Sequence, residues 1–414
     1  MLDRLFRRSA GRMVAGLTRT LGAENLDVVE DVVQEALLRA LQLWPHQGVP
    51  ANPEGWLYRV ARNRALDRAR RTTNLRDKLH LLATEIPGRS ALTEPGRDDE
   101  LGLIFLCCHP TLSPDSQIAL VLKTAAGFSV DEIAAALLAR PAAVAQRLAR
   151  AKETLREAGA VAELPADDEM AERLDVVLHA IYLLFNEGYS AHVGETVVRA
   201  ELCREAIRLA ELLGSYLTTD WPDVHALLSL LCFQASRLPA RADDAGSLLL
   251  LAEQDRGRWD RALIARGLRE MERAAAGETL SPFHLEAAIA AVHAAAPTFA
   301  DTDWHAILDL YDRLLRLHPS PVVALNRAVA VAEVHGPAAA LDILGPLADA
   351  PQLRHYYLLP ATRAAMLERI GSRGAAVEAY GEALTLAGTD QERRWIEAKI
   401  VELRGNGDAG SPSS

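Results

Sequence analysis

Aromatic side chains are scarce in this 414-residue chain, at 5%. Cysteine occurs only as Cys107, Cys108, Cys203 and Cys232, too few and too scattered for a disulfide framework. Long apolar runs are missing as well. Stretches such as Val176–Phe185 fall well short of the ~20 residues that cross a bilayer. Arg4, Arg7, Arg8 and Arg12 open the chain, but no continuous apolar segment follows them, so no secretory signal is read there. The expectation is a soluble, cytoplasmic protein without a membrane role. P-loop, HExxH and GxSxG motifs are absent, so nothing points to an enzyme. Runs of β-branched residues are equally rare, which argues against a substantial sheet.

What is present is an Ala-, Leu- and Arg-rich chain, 50% hydrophobic and 24% charged. Its periodic segments read as helices almost throughout, an all-α protein. The length suggests two to three domains with buried cores. The net charge of −11 at first argues against nucleic acid, whose phosphates need positive charge. The total hides an asymmetry, however. Residues 1–160 hold 22 basic and 19 acidic residues, a net of +3, and the rest carries −14. Such a contrast suggests a nucleic-acid-facing N-terminal part and a different role for the remainder. Breaks are expected near Pro45–Pro53, Pro87–Pro95 and Gly159–Pro165, with a polar Gly/Ser tail over residues 405–414.

Asn52-Pro53-Glu54 reads as a helix start, with Asn52 as N-cap, proline in the first turn and an acid at the positive end. The helix that follows, to about Arg71, sets Trp56, Leu57, Val60, Ala61 and Ala65 on one side. Arg59, Arg62, Asn63 and Arg70 lie opposite. A basic face is most often only a solvated surface. Here six arginines share one short helix, with an Asn and two aromatics suited to unpaired bases. The preceding segment, Asp27–Trp44, is expected to bury Val29, Val33, Ala36, Leu37, Ala40 and Trp44. Asp31, Gln34, Glu35, Leu38 and Gln42 then face outward as a candidate protein-docking surface.

Ser129-Val130-Asp131-Glu132 has the capping-box form and opens a short helix, Val130–Leu138. A turn at Leu138–Pro141 leads to a second helix, Ala142–Ala158, with Val144, Leu148, Ala151 and Leu155 inward and Gln146, Ala149, Arg150 and Glu153 outward. An ordinary helical hairpin would share this pattern. The cap, the turn and the set Arg140, Arg147, Arg150 and Lys152 favour a DNA-binding helix-turn-helix.

These blocks together resemble the extracytoplasmic-function sigma factors of RNA polymerase. Asp31-Val32-Val33-Gln34-Glu35 with Leu38-Arg39-Ala40 is similar to their polymerase-gripping helix. Trp56 to Asn63, with Asp67 and Arg70-Arg71, is similar to their promoter-melting segment. Gly127 to Ala134, with Val144, Arg147, Leu148, Arg150-Ala151-Lys152 and Leu155-Arg156, resembles their minus-thirty-five reader. Leu103 to Pro110 and Tyr182 to Tyr189 resemble the subgroup with a long C-terminal helical-repeat extension.

The resemblance implies core RNA polymerase (clamp helices and flap) and promoter DNA as partners. Asp31, Gln34, Glu35, Leu38 and Arg39 would meet the clamp. The loop Gln47–Gly55 would hold a base flipped from the minus-ten element, with Trp56 and Asn63 beside it and Arg59, Arg62 and Arg64 on the strand backbone. Gln146 and Arg150 would read minus-thirty-five base edges, while Arg147 and Lys152 touch phosphate and Arg140 adds charge. Where the family commonly has Thr and Lys near the start of this helix, the chain has Ala143 and Ala145. The domains expected are residues 1–85 (sigma region 2), 86–98 (linker), 99–160 (region 4), 161–404 (repeat domain) and 405–414 (tail). The alternative is a one-component regulator using the helix-turn-helix alone, with a ligand-binding repeat domain.

Cys107-Cys108-His109 invites a metal reading. Adjacent cysteines suit zinc poorly and no second pair follows at ligand spacing, so buried helix cysteines, with no metal and no cofactor, are expected. In the C-terminal part, Asn326-Arg327-Ala328 through Ala340-Leu341-Asp342 repeats 36 residues later as Thr362-Arg363-Ala364 through Ala376-Val377-Glu378. That offset is close to the ~34-residue tetratricopeptide period and suggests an α-solenoid. Asn186, Glu187 and Tyr189, then Gln254, Asp255, Arg256, Trp259 and Asp260, then Asn326 and Arg327 stand out as polar clusters. They read as caps or buried networks, or together as a regulatory surface for a protein or small-molecule partner.

Overall fold

A computed structural model describes residues 2–71, 97–137, 139–190, 200–215, 221–243, 249–278, 280–388 and 390–405. The break expected around Pro87–Pro95, Leu138 and the tail beyond residue 405 lie outside the described residues. Those described form helices and turns and no strand, so the all-α expectation holds. The chain divides into two compact units, Met1–Glu187 with Glu201–Thr219, and Gly188–Ala200 with Asp220–Ser414.

In the first unit, α1 (Leu2–Leu21), α2 (Leu26–Gln47) and α3 (Pro53–Arg71) pack against one another. Val29, Val33, Ala36, Ala40 and Trp44 are buried on α2, as their spacing predicts, whereas Leu37 is only half-buried and Val32 joins the core instead. Asn52 caps α3, its Oδ1 accepting the Gly55 N–H at 2.8 Å. Trp44 meets Trp56 edge-on at 5.5 Å, fixing the α2–α3 corner through aromatic contact.

The second helical group begins with α4 (Arg97–Cys107), which lies against α1. Then α5 (Pro114–Leu120) runs into a five-residue π-helical turn, Val121–Ala125. Gly127, at φ +71°, turns the chain as few other residues could. It is followed by α6 (Val130–Ala136) and α7 (Pro141–Glu157). The capping box forms as read: Glu132 N–H donates to Ser129 Oγ at 3.2 Å, and Ser129 N–H to Glu132 Oε2 at 2.8 Å. Val144, Leu148, Ala151 and Leu155 are the buried stripe of α7. Cys107 and Cys108 are wholly buried, and burial pushes the Cys107 thiol up to about 12.

Compactness does not end near residue 160. Most of α8 (Asp167–Ser190) and α9 (Ala200–Gly214) belong to the first unit. Arg208 on α9 forms an ion pair with the buried Glu100 of α4, and Arg173 Nη1 donates to the Phe105 carbonyl at 3.4 Å.

The second unit runs through α10 (Pro222–Ser236), α11 (Arg261–Ala274), α12 (Pro282–Ala295), α13 (Trp304–Leu317), α14 (Pro321–His335), α15 (Pro337–Leu347), α16 (Leu358–Arg369), α17 (Arg373–Leu386) and α18 (Asp390–Gly405). From α12 onward each helix packs chiefly on the next in sequence, the pattern of a solenoid, while α12 itself lies more against α10 than against α11. The 36-residue similarity places Ala328 of α14 opposite Ala364 of α16 in role, and Ala340 of α15 opposite Ala376 of α17. All four are fully buried, because close helix pairs admit only a methyl at these points.

Candidate nucleic-acid interface

On α2 the expected docking residues Asp31, Gln34, Leu38 and Arg39 are exposed, and Glu35 is half-buried. Leu38 is 58% exposed and Leu41, which spacing alone did not single out, 48%. Two open leucines among charges form a surface with apolar content, unlike a merely solvated face. Glu35, Leu38, Arg39, Gln42, Leu43 and Arg64 line an open groove of ≈ 410 Å³ along α2 and α3.

The acidic side of α2 also anchors the basic helix. Arg68 of α3 pairs with Asp31 at 2.9 Å and with Glu35, and Arg64 lies 3.7 Å from Glu35. The hydrogen bond to Asp31, with that to Glu35, holds the Arg68 guanidinium above its ordinary value. Arg59, Asn63 and Arg64 are exposed, while Trp56 and Arg62 are half-buried. Arg59 Nε donates to the Gly55 carbonyl at 3.3 Å, leaning the guanidinium toward the loop before α3. The side chains of Arg70 and Arg71 lie outside the described residues.

Arg140 just before α7, and Gln146 and Arg150 on it, are exposed together with Ala143 and Ala145. Arg147 is half-buried and pairs with Asp115 at 3.2 Å. Lys152, expected at phosphate, instead reaches Asp27 and Glu30 of α2, each at 2.6 Å, with its side chain only 14% exposed. Burial alone would lower its pKa. The charge of Glu30 and the hydrogen bonds to both acids outweigh that and raise it. Thr124 Oγ1 donates to Glu30 at 3.2 Å, and Arg19 of α1 pairs with Asp99 of α4 at 2.9 Å. The backbones come close at Gly11 of α1, where an added Cβ would stand 2.3 Å from the Ala125 carbonyl oxygen. The two helical groups are therefore packed directly together.

Of the C-terminal polar residues, Asp255 and Asp260 are caps, accepting the N–H of Gly257 and those of Ala262 and Leu263. Arg327 is ion-paired with Asp312, and Asn326 is exposed on the same helix. Asn186 belongs to the first unit and Tyr189 to the second; the Glu187 side chain lies outside the described residues. Arg256 and Trp259 are buried beside each other, the guanidinium 5.2 Å from the ring centroid. Arg237 and Arg241, which no sequence pattern marked, complete this cluster. Among the described residues no helix is long and apolar enough to cross a membrane.

Comparison with known proteins agrees with this layout. Sigma-70 region 2 matches residues 6–74 and sigma-70 region 4 matches residues 102–155. Residues 173–275 match a family of unknown function, DUF6596. The ECF RNA polymerase sigma factor SigE of Mycolicibacterium smegmatis (strain ATCC 700084 / mc(2)155) is 30% identical over 157 residues, 37% of this chain and 60% of that protein. "Uncharacterized protein R00370" of Rhizobium meliloti (strain 1021) is 40% identical over 408 residues, covering 94% of this chain and 95% of its own length. The chain belongs to one family with this Rhizobium protein, and its N-terminal unit carries regions 2 and 4 of the sigma-70 factors.

Proposed function

We propose that the chain is an alternative sigma factor of the extracytoplasmic-function kind, acting in the cytoplasm. It binds core RNA polymerase, directs it to promoters and carries a C-terminal regulatory helical domain. The observation that carries this reading is the α2–α3 pair: a mixed leucine and carboxylate face beside exposed Arg59, Asn63 and Arg64. A repressor using the helix-turn-helix alone would need no such pair. Asp31, Gln34, Glu35, Leu38 and Arg39 are assigned to the polymerase clamp. Trp56, Arg59, Arg62, Asn63 and Arg64 are assigned to the minus-ten element, and Arg140, Gln146, Arg147, Arg150 and Lys152 to the minus-thirty-five element, with the polymerase flap beside it.

Regions 2 and 4 must part for this work. The two promoter elements lie ~25 base pairs apart, about 85 Å at ~3.4 Å per pair. Here α7 touches α2 through Lys152, and α7 itself is only ~25 Å long at ~1.5 Å per residue. The packed arrangement is thus assigned to the free, resting factor. Reconstitution with core RNA polymerase and a promoter library, read by run-off transcription, tests the reading. Initiation from a defined set of promoters is expected. Failure to bind polymerase, or binding without initiation on any promoter, would overturn it.

A further inference from the structure

The second unit belongs to the strongly acidic part of the chain, yet it gathers three arginines for which the structure supplies no carboxylate in ion-pair contact among the described residues. Arg237 follows α10, Arg241 ends the short turn after it, and Arg256 precedes Trp259. The guanidinium groups of Arg237 and Arg256 both lie over the Trp259 ring, 5.6 and 5.2 Å from its centroid. That of Arg241 stacks on Tyr189 at 3.7 Å.

Their hydrogen bonds divide them. Arg256 is committed to the fold, donating to the His293 and Ala296 carbonyls at 2.8 and 2.9 Å and to Thr302 Oγ1 at 2.9 Å. Those carbonyls close α12, where a cation is favoured by the helix dipole. Among the described residues, Arg237 meets only neutral acceptors, Gln254 Oε1 at 3.4 Å and Gln234 Oε1 at 3.1 Å. Arg241 Nε is buried without a hydrogen-bond acceptor among the described residues. Both side chains are half-buried rather than splayed into solvent.

Carboxylates stand in the neighbourhood without pairing to these guanidinium groups: Asp301 acts on Arg256 and Glu286 on Tyr311 only through their charge. Burial, with the nearby Arg237 and Arg256, lowers the His293 pKa to about 3, so the imidazole is neutral. Burial and the charge of Glu286 raise Tyr311 to about 12, against the opposing charge of Arg237, leaving a neutral phenol. Half-buried like charges repel and lose hydration, a cost that a fold offsets with a counter-anion. Planar guanidinium groups bind carboxylate and phosphate oxygens in paired hydrogen bonds, and the aromatic surround suits an apolar body beside the charged head.

We propose that Arg237 and Arg241, set among Tyr189, Trp259 and Tyr311, form a binding site for a small organic anion bearing a carboxylate or phosphate. A nucleic acid is disfavoured, because residues 161–414 carry a net charge of −14. That field repels a long polyanion, while a single headgroup feels mainly the adjacent cations at a screening length of ~8 Å. The site would give the proposed regulatory domain its effector. Its binding measurement needs neither polymerase nor promoter, so its failure leaves the transcription reading intact.

The test is titration of the full chain with benzoate, phenyl phosphate and inorganic phosphate, with benzamide as neutral control, by calorimetry and thermal unfolding. At least one anion should bind saturably and raise the melting temperature of the second unit by about 5 °C at ~100 times its Kd. Benzamide should not. Comparison of the first two ligands distinguishes a carboxylate head from a phosphate head. Arg241→Gln and Arg237→Gln should each weaken binding at least tenfold. Arg241→Lys should recover only part of it, since the fork is lost while the charge remains. Unchanged unliganded melting and circular dichroism establish that the variants are folded. No saturable binding of any anion, or binding equally strong in both Gln variants, overturns the proposal.

Discussion

Gly11→Ala separates the packing of regions 2 and 4 from the stability of either. Gly11 sits inside α1, where alanine would favour the helix by ~1 kcal/mol. The new methyl would stand 2.3 Å from the Ala125 carbonyl oxygen of region 4. An ordinary carbon–oxygen contact is ~3.3 Å or more, so the two backbones must separate by about 1 Å. Overpacking of this kind costs ~1–3 kcal/mol. That cost falls on the packed arrangement alone, while the helix gain is common to packed and parted forms. The balance should shift toward the parted form by roughly 5- to 150-fold. Amide hydrogen exchange by mass spectrometry reads this directly. Peptides covering Val121–Ala125 and α7 should exchange faster, with the core of α2 unchanged or better protected. Unaltered exchange across the π-helical turn and α7 in a normally folded variant would refute the reasoning. It would mean that the backbone absorbs the methyl locally.

Asn63→Ala should impair promoter opening, measured by permanganate reactivity of unpaired thymines, more than polymerase binding measured by gel shift; equal loss of both would show that Asn63 acts in docking. The four cysteines are buried, so under native conditions Ellman's reagent should label them only as fast as the protein opens, with all four reacting promptly in denaturant. Glu270 is held below its ordinary carboxylate range chiefly by the hydrogen bond from His225 at 2.8 Å. A depressed carboxylate stabilises above its unfolded pKa, and this contribution is lost as pH falls through the folded value. Denaturant unfolding of the second unit should therefore weaken from about pH 4.5 downward, and Glu270→Gln should flatten that dependence while lowering stability at pH 7.

The helical class, the cap at Asn52, the capping box at Ser129 and the buried stripe of α7 were legible because each depends on residues within one turn or one helix face. The 36-residue echo reached further, since identical packing environments select small residues at Ala328, Ala340, Ala364 and Ala376. What stayed hidden depends on pairing across long separations. Asp27 and Glu30 look like surface acids until Lys152, 122 residues beyond Glu30, is brought against them. Gly11 reads as an unfavourable helix residue until the Ala125 carbonyl arrives behind it. Arg237 and Arg241 sit at a helix end and in a turn, positions where arginine is unremarkable in sequence. Leu41, three residues beyond Leu38 and so on the same side of the helix, lies exposed beside it, a pairing that the chosen outward set of Asp31, Gln34, Glu35, Leu38 and Gln42 passed over.

Lys152 cannot serve two masters. Under the assignments proposed, the ammonium that seals α7 to Glu30 is one that region 4 would offer to a phosphate. Breaking the seal and gripping DNA then draw on the same charge, so they are thermodynamically coupled. Promoter phosphate competes with Glu30 as a rival counter-ion, and whatever factor polymerase gains in parting the regions must reappear as the same factor in DNA affinity. A single surface-chemistry exchange would thus let the free factor ignore DNA and the polymerase-bound factor seize it, with no separate inhibitor required.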